Sequence, residues 1–395
     1  MRIAGLFAGI GGLELGLQQA GHEADFLCEI WKPAQVVLKT QFPDVDLISD
    51  IKDVHRLSES IDMLSAGFPC QDLSQAGMTA GIGGSKSGLV SHVFRLIDIN
   101  EPEWVLLENV SFMLSLDRGN ALRTIVDALE DRGYRWAYRV INSLAFLPQR
   151  RERVFILASK NGAPWDVLLS DEAAPAEVHT TLESHAHGFY WTEGIRGLGW
   201  AVDSVPTLKN GSTIGIPSPP AILMPDGRVI KPDIRDAERL QGFREHWTQS
   251  AESIARSSYR WSLVGNAVTV PVAEWLGRRL DEPGAFDPSR ECSIETSKRW
   301  PRAAKSDGRN RAGVRISDFP VWHHRQPLHE FLLHPGSSLS ARATSGFLLR
   351  TKRSSLRFPV GFLTKLADHL AVVRDNESQE QKTNGFFESQ AIWAA

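Results

Sequence analysis

The feature that most constrains this chain is an alternation. Over the first 160 residues, short apolar runs give way in turn to amphipathic helical patterns. Arg2–Leu6 reads as a strand and Gly11–Ala20 as a helix. Ala24–Cys28 reads as a second strand, and Pro33 opens a helix at a position that proline tolerates. Further strands are expected at Asp62–Ala66, Trp104–Leu107, Tyr134–Ile141 and Arg153–Ala158, and helices at Leu89–Ile99 and Asn120–Asp131. Strands that alternate with helices imply an α/β fold, a doubly wound and mainly parallel sheet covered on both faces. The last two strands are close in sequence, which predicts an antiparallel hairpin at that edge, and hence a mixed sheet.

The pattern changes near Asn161. From there to about Pro232 the chain is rich in Gly, Pro, Ser and Thr, and it carries Trp165, Trp191 and Trp200. Loop-rich sequence with aromatic and polar residues reads as a smaller recognition region. Helical patterns return at Asp233–Gly242 and Val268–Leu280, and Pro283–Cys292 looks like a linker. At 395 residues the chain has room for two or three domains. The expected divisions are 1–160, 161–262, a returning helix over 263–282, a C-terminal extension over 283–373, and a disordered tail over 374–395. Within the extension, Arg342–Arg357 holds Arg342, Arg350, Lys352, Arg353 and Arg357 and no acid.

Several classes are excluded early. No apolar run approaches the roughly 20 residues needed to span a bilayer, so no membrane partner is expected. The opening MRIAGLFAGIGG lacks the pattern of a signal peptide. The cysteines are Cys28, Cys70 and Cys292; an odd, sparse set fits a reducing compartment, the cytoplasm, better than a disulfide scaffold. No Cys/His spacing marks a metal site, and the adjacent His323 and His324 do not make one. Net charge is −3, so any basic surface for nucleic acid must be local.

Four constellations carry chemistry. Phe7-Ala8-Gly9-Ile10-Gly11-Gly12 lies between a strand and a helix, where glycines allow a tight turn and bring backbone N–H groups near a ligand. Glu29 ends the next strand, where an acid can accept from two ribose hydroxyls, and Asp50 follows the third strand, near an adenine amino group. An adenosine-containing ligand fits, whether nicotinamide dinucleotide or S-adenosylmethionine. Gly67-Phe68-Pro69-Cys70-Gln71 follows a strand at the sheet edge where open α/β folds place their sites. Cys70 there is either a reactive thiolate or an inert thiol. Glu108-Asn109-Val110 ends the next strand, and Gln149-Arg150-Arg151-Glu152-Arg153 places Arg151 and Arg153 on one face of a strand. Taken singly, the acid and the arginines read as solvated groups.

Together the motifs resemble the DNA (cytosine-5) methyltransferases of prokaryotic restriction–modification systems. FAGIGG, GFPCQ, ENV, QRRER, RDAERLQGF and VGNAV near Gly265 occur in that family's order over about residues 1–280. The resemblance does not extend through the last hundred residues. It implies a Rossmann-like methyltransferase fold with S-adenosylmethionine as cofactor and duplex DNA as substrate. It further implies that Cys70 attacks C6 of a flipped cytosine and that Glu108 acts at N3. Arg153 would steady the O2 region, and Arg151 would orient the site and its phosphate. For the cofactor, it implies Phe7, Gly9, Gly11, Gly12, Glu29, Ile30, Asp50, Ile51, Pro69, Leu89 and Asn266. For DNA, it implies Gln71, Lys86 in a closing lid over Asp72–Gly88, and a target-recognition domain over 161–262. Thr207, Leu208 and the run Gly211–Pro220 are its candidate base-edge contacts. Arg350 and Arg353 are candidate phosphate contacts, against the reading of a solvated helix face. A partner restriction endonuclease and a monomeric enzyme are expected. The alternative is a tRNA cytosine-5 methyltransferase using the same catalytic set. A nicotinamide oxidoreductase would leave Cys70, Glu108 and Arg153 idle, and a non-enzymatic regulator would be expected to have lost Cys70 or Glu108.

Overall fold

The computed structural model describes residues 1–69, 88–174, 181–211, 219–294 and 300–393. The chain forms two compact units: Met1–Leu147, Arg151–Glu177 and Glu238–Arg325 in the first, and Pro148–Arg150, Val178–Ala237 and Gln326–Ala395 in the second.

Strands and helices are numbered along the whole chain. In the first unit the strands are β1 (Arg2–Leu6), β2 (Glu23–Cys28), β3 (Asp46–Ile48), β4 (Met63–Ala66), β5 (Trp104–Val110), β6 (Arg135–Asn142) and β8 (Glu152–Ser159). The late strands β14 (Glu291–Cys292), β15 (Ala303–Ser306) and β16 (Arg311–Val314) join them. The sheet runs β14-β16-β15-β6-β8-β5-β4-β1-β2-β3. From β3 through β5 the pairs are parallel, and from β5 through β14 they are antiparallel. The order reverses between β1 and β4, whose carboxyl ends therefore open a crevice of the kind in which α/β sheets hold ligands.

Helices α1 (Gly12–Gln19), α2 (Lys32–Gln41), α3 (Leu89–Asn100), α4 (Asn120–Glu130), α5 (Pro164–Leu168), α7 (Tyr259–Asn266) and α8 (Val270–Asp281) belong to this unit, and α6 (Ile234–Leu240) leads the chain back into it. Alternate residues of a strand face opposite ways. Ala4 and Leu6 accordingly join a core with Phe94, Leu122 and Ile125, whereas Ile3 joins Leu17, Val272 and Leu276. Helices thus cover both faces, as the alternation predicts. Gly12 and Gly16 let α1 lie against the backbone of 268–274, where a Cβ at either position would meet a carbonyl oxygen of Val268 or Val270. Cys28 is buried, and burial pushes its thiol up to about 12, so it is an inert core thiol.

The structure departs from the sequence reading in three places. First, β6 is not an edge: β15 pairs with it, and β16 and β14 follow. Two side chains explain this. Trp300 packs on Trp136 and Tyr138 and donates to the Gly119 carbonyl. Buried Arg139 donates to the carbonyls of Leu168, Asp171 and Ser317. Second, residues 238–262, expected in the recognition region, belong to the first unit. Trp247 donates to the Ile10 carbonyl, and Gln41 donates to the Trp247 carbonyl. Glu238 and Arg260 form a buried ion pair, with Thr248 donating to the same carboxylate. Third, the expected disordered tail is the continuation of one helix, α11 (Phe362–Trp393).

In the second unit the strands are β7 (Gln149–Arg150), β9 (His187–Phe189), β10 (Trp200–Val202), β11 (Val205–Pro206), β12 (Ala221–Leu223), β13 (Val229–Lys231) and β17 (Ser337–Ser338). Its five-stranded sheet, β10-β9-β12-β13-β17, is antiparallel throughout. The short helix α9 (Leu328–Phe331) and the helices α10 (Ala341–Thr351) and α11 come from the C-terminal extension. Phe347 and Phe362 pack on Phe189, Phe358 stacks on Phe362, and His369 links the Val229 N–H to the Leu339 carbonyl. The extension is therefore half of this unit's core. Its sequence concealed that role because Arg342–Arg357 reads as basic while its apolar side, Phe347 above all, faces inward.

Candidate active site

The carboxyl ends of β1, β2, β4 and β5 meet at the switch point. After β1 the chain turns sharply: Phe7 has φ +55°, Gly9 +58° and Gly11 +82°. A non-glycine residue in the left-handed region is strained, so Phe7 is a cost that the turn imposes. Beside Gly9 there is open space, with no atom within 4 Å of where a Cβ would stand. Glu29, just beyond β2, braces the turn. Its Oε2 accepts from Gly9 N at 2.8 Å and its Oε1 from Trp31 N at 2.7 Å. Burial raises its pKa, and these N–H groups pull it back. Ile30, next to it, is 67% exposed.

Asp50 caps a short turn by accepting from Lys52 N at 3.0 Å. Ile51, expected to frame the adenine, is packed in the core beside Val54 and holds the turn from within instead. Leu89 opens α3 half-buried, Pro69 is exposed, and Asn266 is exposed at the last position of α7.

At the end of β5, Glu108 is 8% exposed and its Oε1 lies 3.0 Å from the Arg153 Nε. Burial is the largest influence on its carboxyl and raises the pKa; Arg153 and then Arg151 oppose it. Gly67 lies against the other oxygen: a Cβ there would stand 3.4 Å from Oε2. The neighbouring Asn109 donates from Nδ2 to the Phe68 carbonyl at 3.0 Å. The segment that leads to Cys70 is thus tied to the strand that carries the acid. Cys70, Gln71 and Lys86 themselves, with residues 72–87 of the expected lid, lie outside the described residues.

Arg151 does not do what its motif suggested. It is 1% exposed, and its guanidinium donates to the carbonyls of Gly265 and Ala267 at 3.2 and 2.7 Å. A guanidinium so enclosed cannot meet a DNA phosphate. It braces the segment that presents Asn266 and adds positive potential at Glu108. The reason is local: Arg151 lies between β7 and β8, where the strict alternation of a strand is broken.

The C-5 cytosine-specific DNA methylase family model matches residues 1–188. The Type II methyltransferase M2.BsuMI of Bacillus subtilis is 42% identical over 393 residues, 96% of this chain and 100% of that one. The chain belongs to the C-5 cytosine-specific DNA methylases. A second relative, the Type II methyltransferase M.HaeII of Haemophilus aegyptius, is 30% identical over 68% of this chain and 88% of its own. The methylase also shares its fold with the crystal structure of the S. pombe Dnmt2 methyltransferase. That match has a TM-score of 0.52 at 18% identity and covers 71% of this chain and 98% of that one.

Of the methylase residues expected at DNA, several are occupied within the second unit. Leu208 is 3% exposed, and its N–H donates to Gln149 Oε1. The Thr207 hydroxyl donates to the Arg150 carbonyl at 2.9 Å. Both hold the strand pair β7–β11 together, and Leu208 is too enclosed to touch a base edge. Arg350 donates to the Trp191 carbonyl, whereas Arg353 is exposed. Most of the run Gly211–Pro220, residues 212–218, lies outside the described residues. Two polar residues beside the candidate site escaped the sequence reading. Asn109 was visible in the ENV motif, but only the fold brings Phe68 to it. Glu14, a buried acid on the inner side of α1, was signalled by its place in the apolar run Gly12–Leu17.

Proposed function

We propose that this DNA (cytosine-5) methylase acts through a transient bond from the Cys70 sulfur to C6 of a cytosine turned out of the duplex. C6 is inaccessible in a stacked pair, so flipping precedes chemistry. Thiolate attack at C6 sends electron density into the ring, and Glu108 in its acid form donates a proton to N3. C5 becomes nucleophilic and takes the methyl group. Water then removes the C5 proton, the C5=C6 bond re-forms, the thiolate leaves, and N3 returns its proton to Glu108. Arg153 holds Glu108 in place and reaches toward the O2 edge. The observation that carries this reading is Glu108: buried, raised in pKa, paired with Arg153, and pressed against Gly67 of the cysteine segment.

S-Adenosylmethionine, when bound, supplies the electrophilic methyl group. The residues present fit it. Glu29 accepts from the Gly9 and Trp31 N–H groups, and its two oxygens keep lone-pair capacity for a ribose hydroxyl. The space at Gly9 admits a ligand against the backbone, and exposed Ile30 offers an apolar face to a base. Phe7, Gly11, Gly12, Asp50, Pro69, Leu89 and Asn266 complete that assignment.

The second unit is assigned target recognition, with Arg353 its exposed phosphate contact. The kinship with Type II methyltransferases supports protection of DNA against a partner endonuclease as the biological role. One centre per flipped base supports a monomer. Among the described residues no helix is long and apolar enough to cross a membrane, and the assigned place of action is the cytoplasm. Bisulfite sequencing of plasmid DNA from expressing cells tests the mechanism, beside a Cys70→Ser control. Protected cytosines in one short motif, absent from the control, are expected. Protection in the control as well would overturn the covalent step, and protection confined to cellular RNA would turn the assignment to the tRNA reading.

A further inference from the structure

We propose that Glu14 is a positioning residue of the cofactor site, a buried carboxyl that favours the cationic sulfonium over the neutral thioether left after transfer. The inference rests on the S-adenosylmethionine reading above. Glu14 is in the first turn of α1, immediately after the glycine turn, and helix side chains tilt toward the N-terminus. Its side chain therefore leans back under that turn. It is 2% exposed, and Oε2 is buried without a hydrogen-bond partner. Oε1 accepts from the Ser65 hydroxyl on β4 at 3.3 Å. A Cβ on residue 5 would collide with the carboxylate, so Gly5 of β1 makes room for it.

A buried carboxyl with one unmet oxygen is costly, and an apolar residue there would be cheaper. Among the described residues no lysine or arginine forms an ion pair with it. The charge that bears on it is Glu29, whose own carboxylate holds the Gly9 N–H. Among the described residues, β1 and β4 present Gly5 and Ser65, Asp25 of β2 is paired with Arg2, and α8 meets α1 with backbone and Ala273 at Gly16. Glu274 of α8 is paired with Arg278. The missing counter-charge is what a cationic ligand at the glycine turn would supply.

Burial lifts the Glu14 carboxyl to about 7, so near neutrality it holds its proton about half the time. A cation nearby favours the ionised form. Binding of the sulfonium should then release protons near pH 7, and by linkage its affinity should rise with pH through that range. The gain is about tenfold for each unit by which the cation lowers the carboxyl's pKa. The thioether product lacks that charge but shares the amino-acid ammonium, so the ratio of the two affinities isolates the effect.

Isothermal titration of the full chain with S-adenosylmethionine and with S-adenosylhomocysteine, from pH 6 to pH 8 in two buffers of different ionisation enthalpy, reads it directly. The wild type is expected to release more protons with the sulfonium ligand, and its affinity ratio should turn toward that ligand by several-fold as pH rises. Glu14→Gln should flatten the ratio. Ser65→Ala removes a bond to the ionised form and should move the midpoint to higher pH. A Gln variant with the wild-type ratio and slope overturns the inference and leaves the cofactor reading intact. If the Gln variant does not fold, equal proton release for both ligands in the wild type overturns it equally. A wild type that binds neither ligand overturns the cofactor reading and the inference together.

Discussion

Two five-stranded arrays in this methylase spend their polar residues differently. In the parallel half of the large sheet, β3-β2-β1-β4-β5, every strand ends at the same edge. Groups that follow those strands are brought together without hairpin partners to absorb them. Gly67 lies against Glu108 there, and Glu29 accepts from the Gly9 N–H of the glycine turn. In the second unit, strand ends of the antiparallel sheet alternate, and the polar groups around it bond to one another within the unit. Beside the parallel pair β7–β11, Thr207 and Leu208 bond to Arg150 and Gln149, and Arg350 of α10 bonds to Trp191. Arg153, on β8 beside the first array, is paired with the acid Glu108, whereas Arg350 of α10 satisfies a carbonyl.

The largest test of this contrast is Cys70→Ser, which should abolish methylation because serine is a far weaker nucleophile. Methylation at the wild-type rate would remove the first array's claim to the chemistry. Glu108→Gln should lower kcat by about 10² to 10⁴ with little change in cofactor Kd, since general acid work is lost and the shape kept. An equal fall in cofactor affinity would make Glu108 a binding residue instead.

Next is a stability effect with a defined sign. The folded-state pKa of Glu14 is raised to about 7 from an ordinary 4.5. Its contribution to stability is fully present below pH 4.5 and is lost as pH rises through 7. Replacing it by Gln should remove a decline of about 3 kcal/mol between those limits, seen as denaturant midpoints that part as pH rises. Parallel pH profiles for the two proteins would show that Glu14 is solvated after all. Arg151→Met should destabilise the first unit by about 2 kcal/mol, because the Gly265 and Ala267 carbonyls lose their buried donor. An unchanged midpoint with weakened DNA binding would restore the phosphate role.

The smallest effect should appear in the second unit. Arg353→Glu should weaken DNA binding and reduce the salt slope by about one phosphate contact. Arg350→Ala should instead cost about 1 kcal/mol of stability and leave the slope alone. The reverse outcome would erase the distinction between the two arginines.

Much of the catalytic half was legible in the amino-acid order. Strands β1, β2, β4, β5, β6 and β8 and helices α1 to α4 fall where periodicity put them, within a few residues. That half is long in apolar runs, and its buried parallel strands leave a strong signal. The late strands β14 to β16 were missed because they are short, and Lys305 and Arg311 interrupt them. The helical tail was missed because RDNESQEQKTNG has the composition of a solvated segment. Helix propensity and continuity with the packed start of α11 outweigh that composition.

By itself, then, the sequence determined the family, the α/β alternation and the acid and thiol proposed for the chemistry, because motif order and periodicity are local properties of the chain. Tertiary structure alone decided which polar residues remain for a ligand. Arg151 and Arg153 are two residues apart in the same motif; one is sealed against the carbonyls of residues more than a hundred positions away, and the other is paired with Glu108. Burial and partner choice depend on what the fold packs against a side chain, and neither quantity is written in its neighbours along the chain.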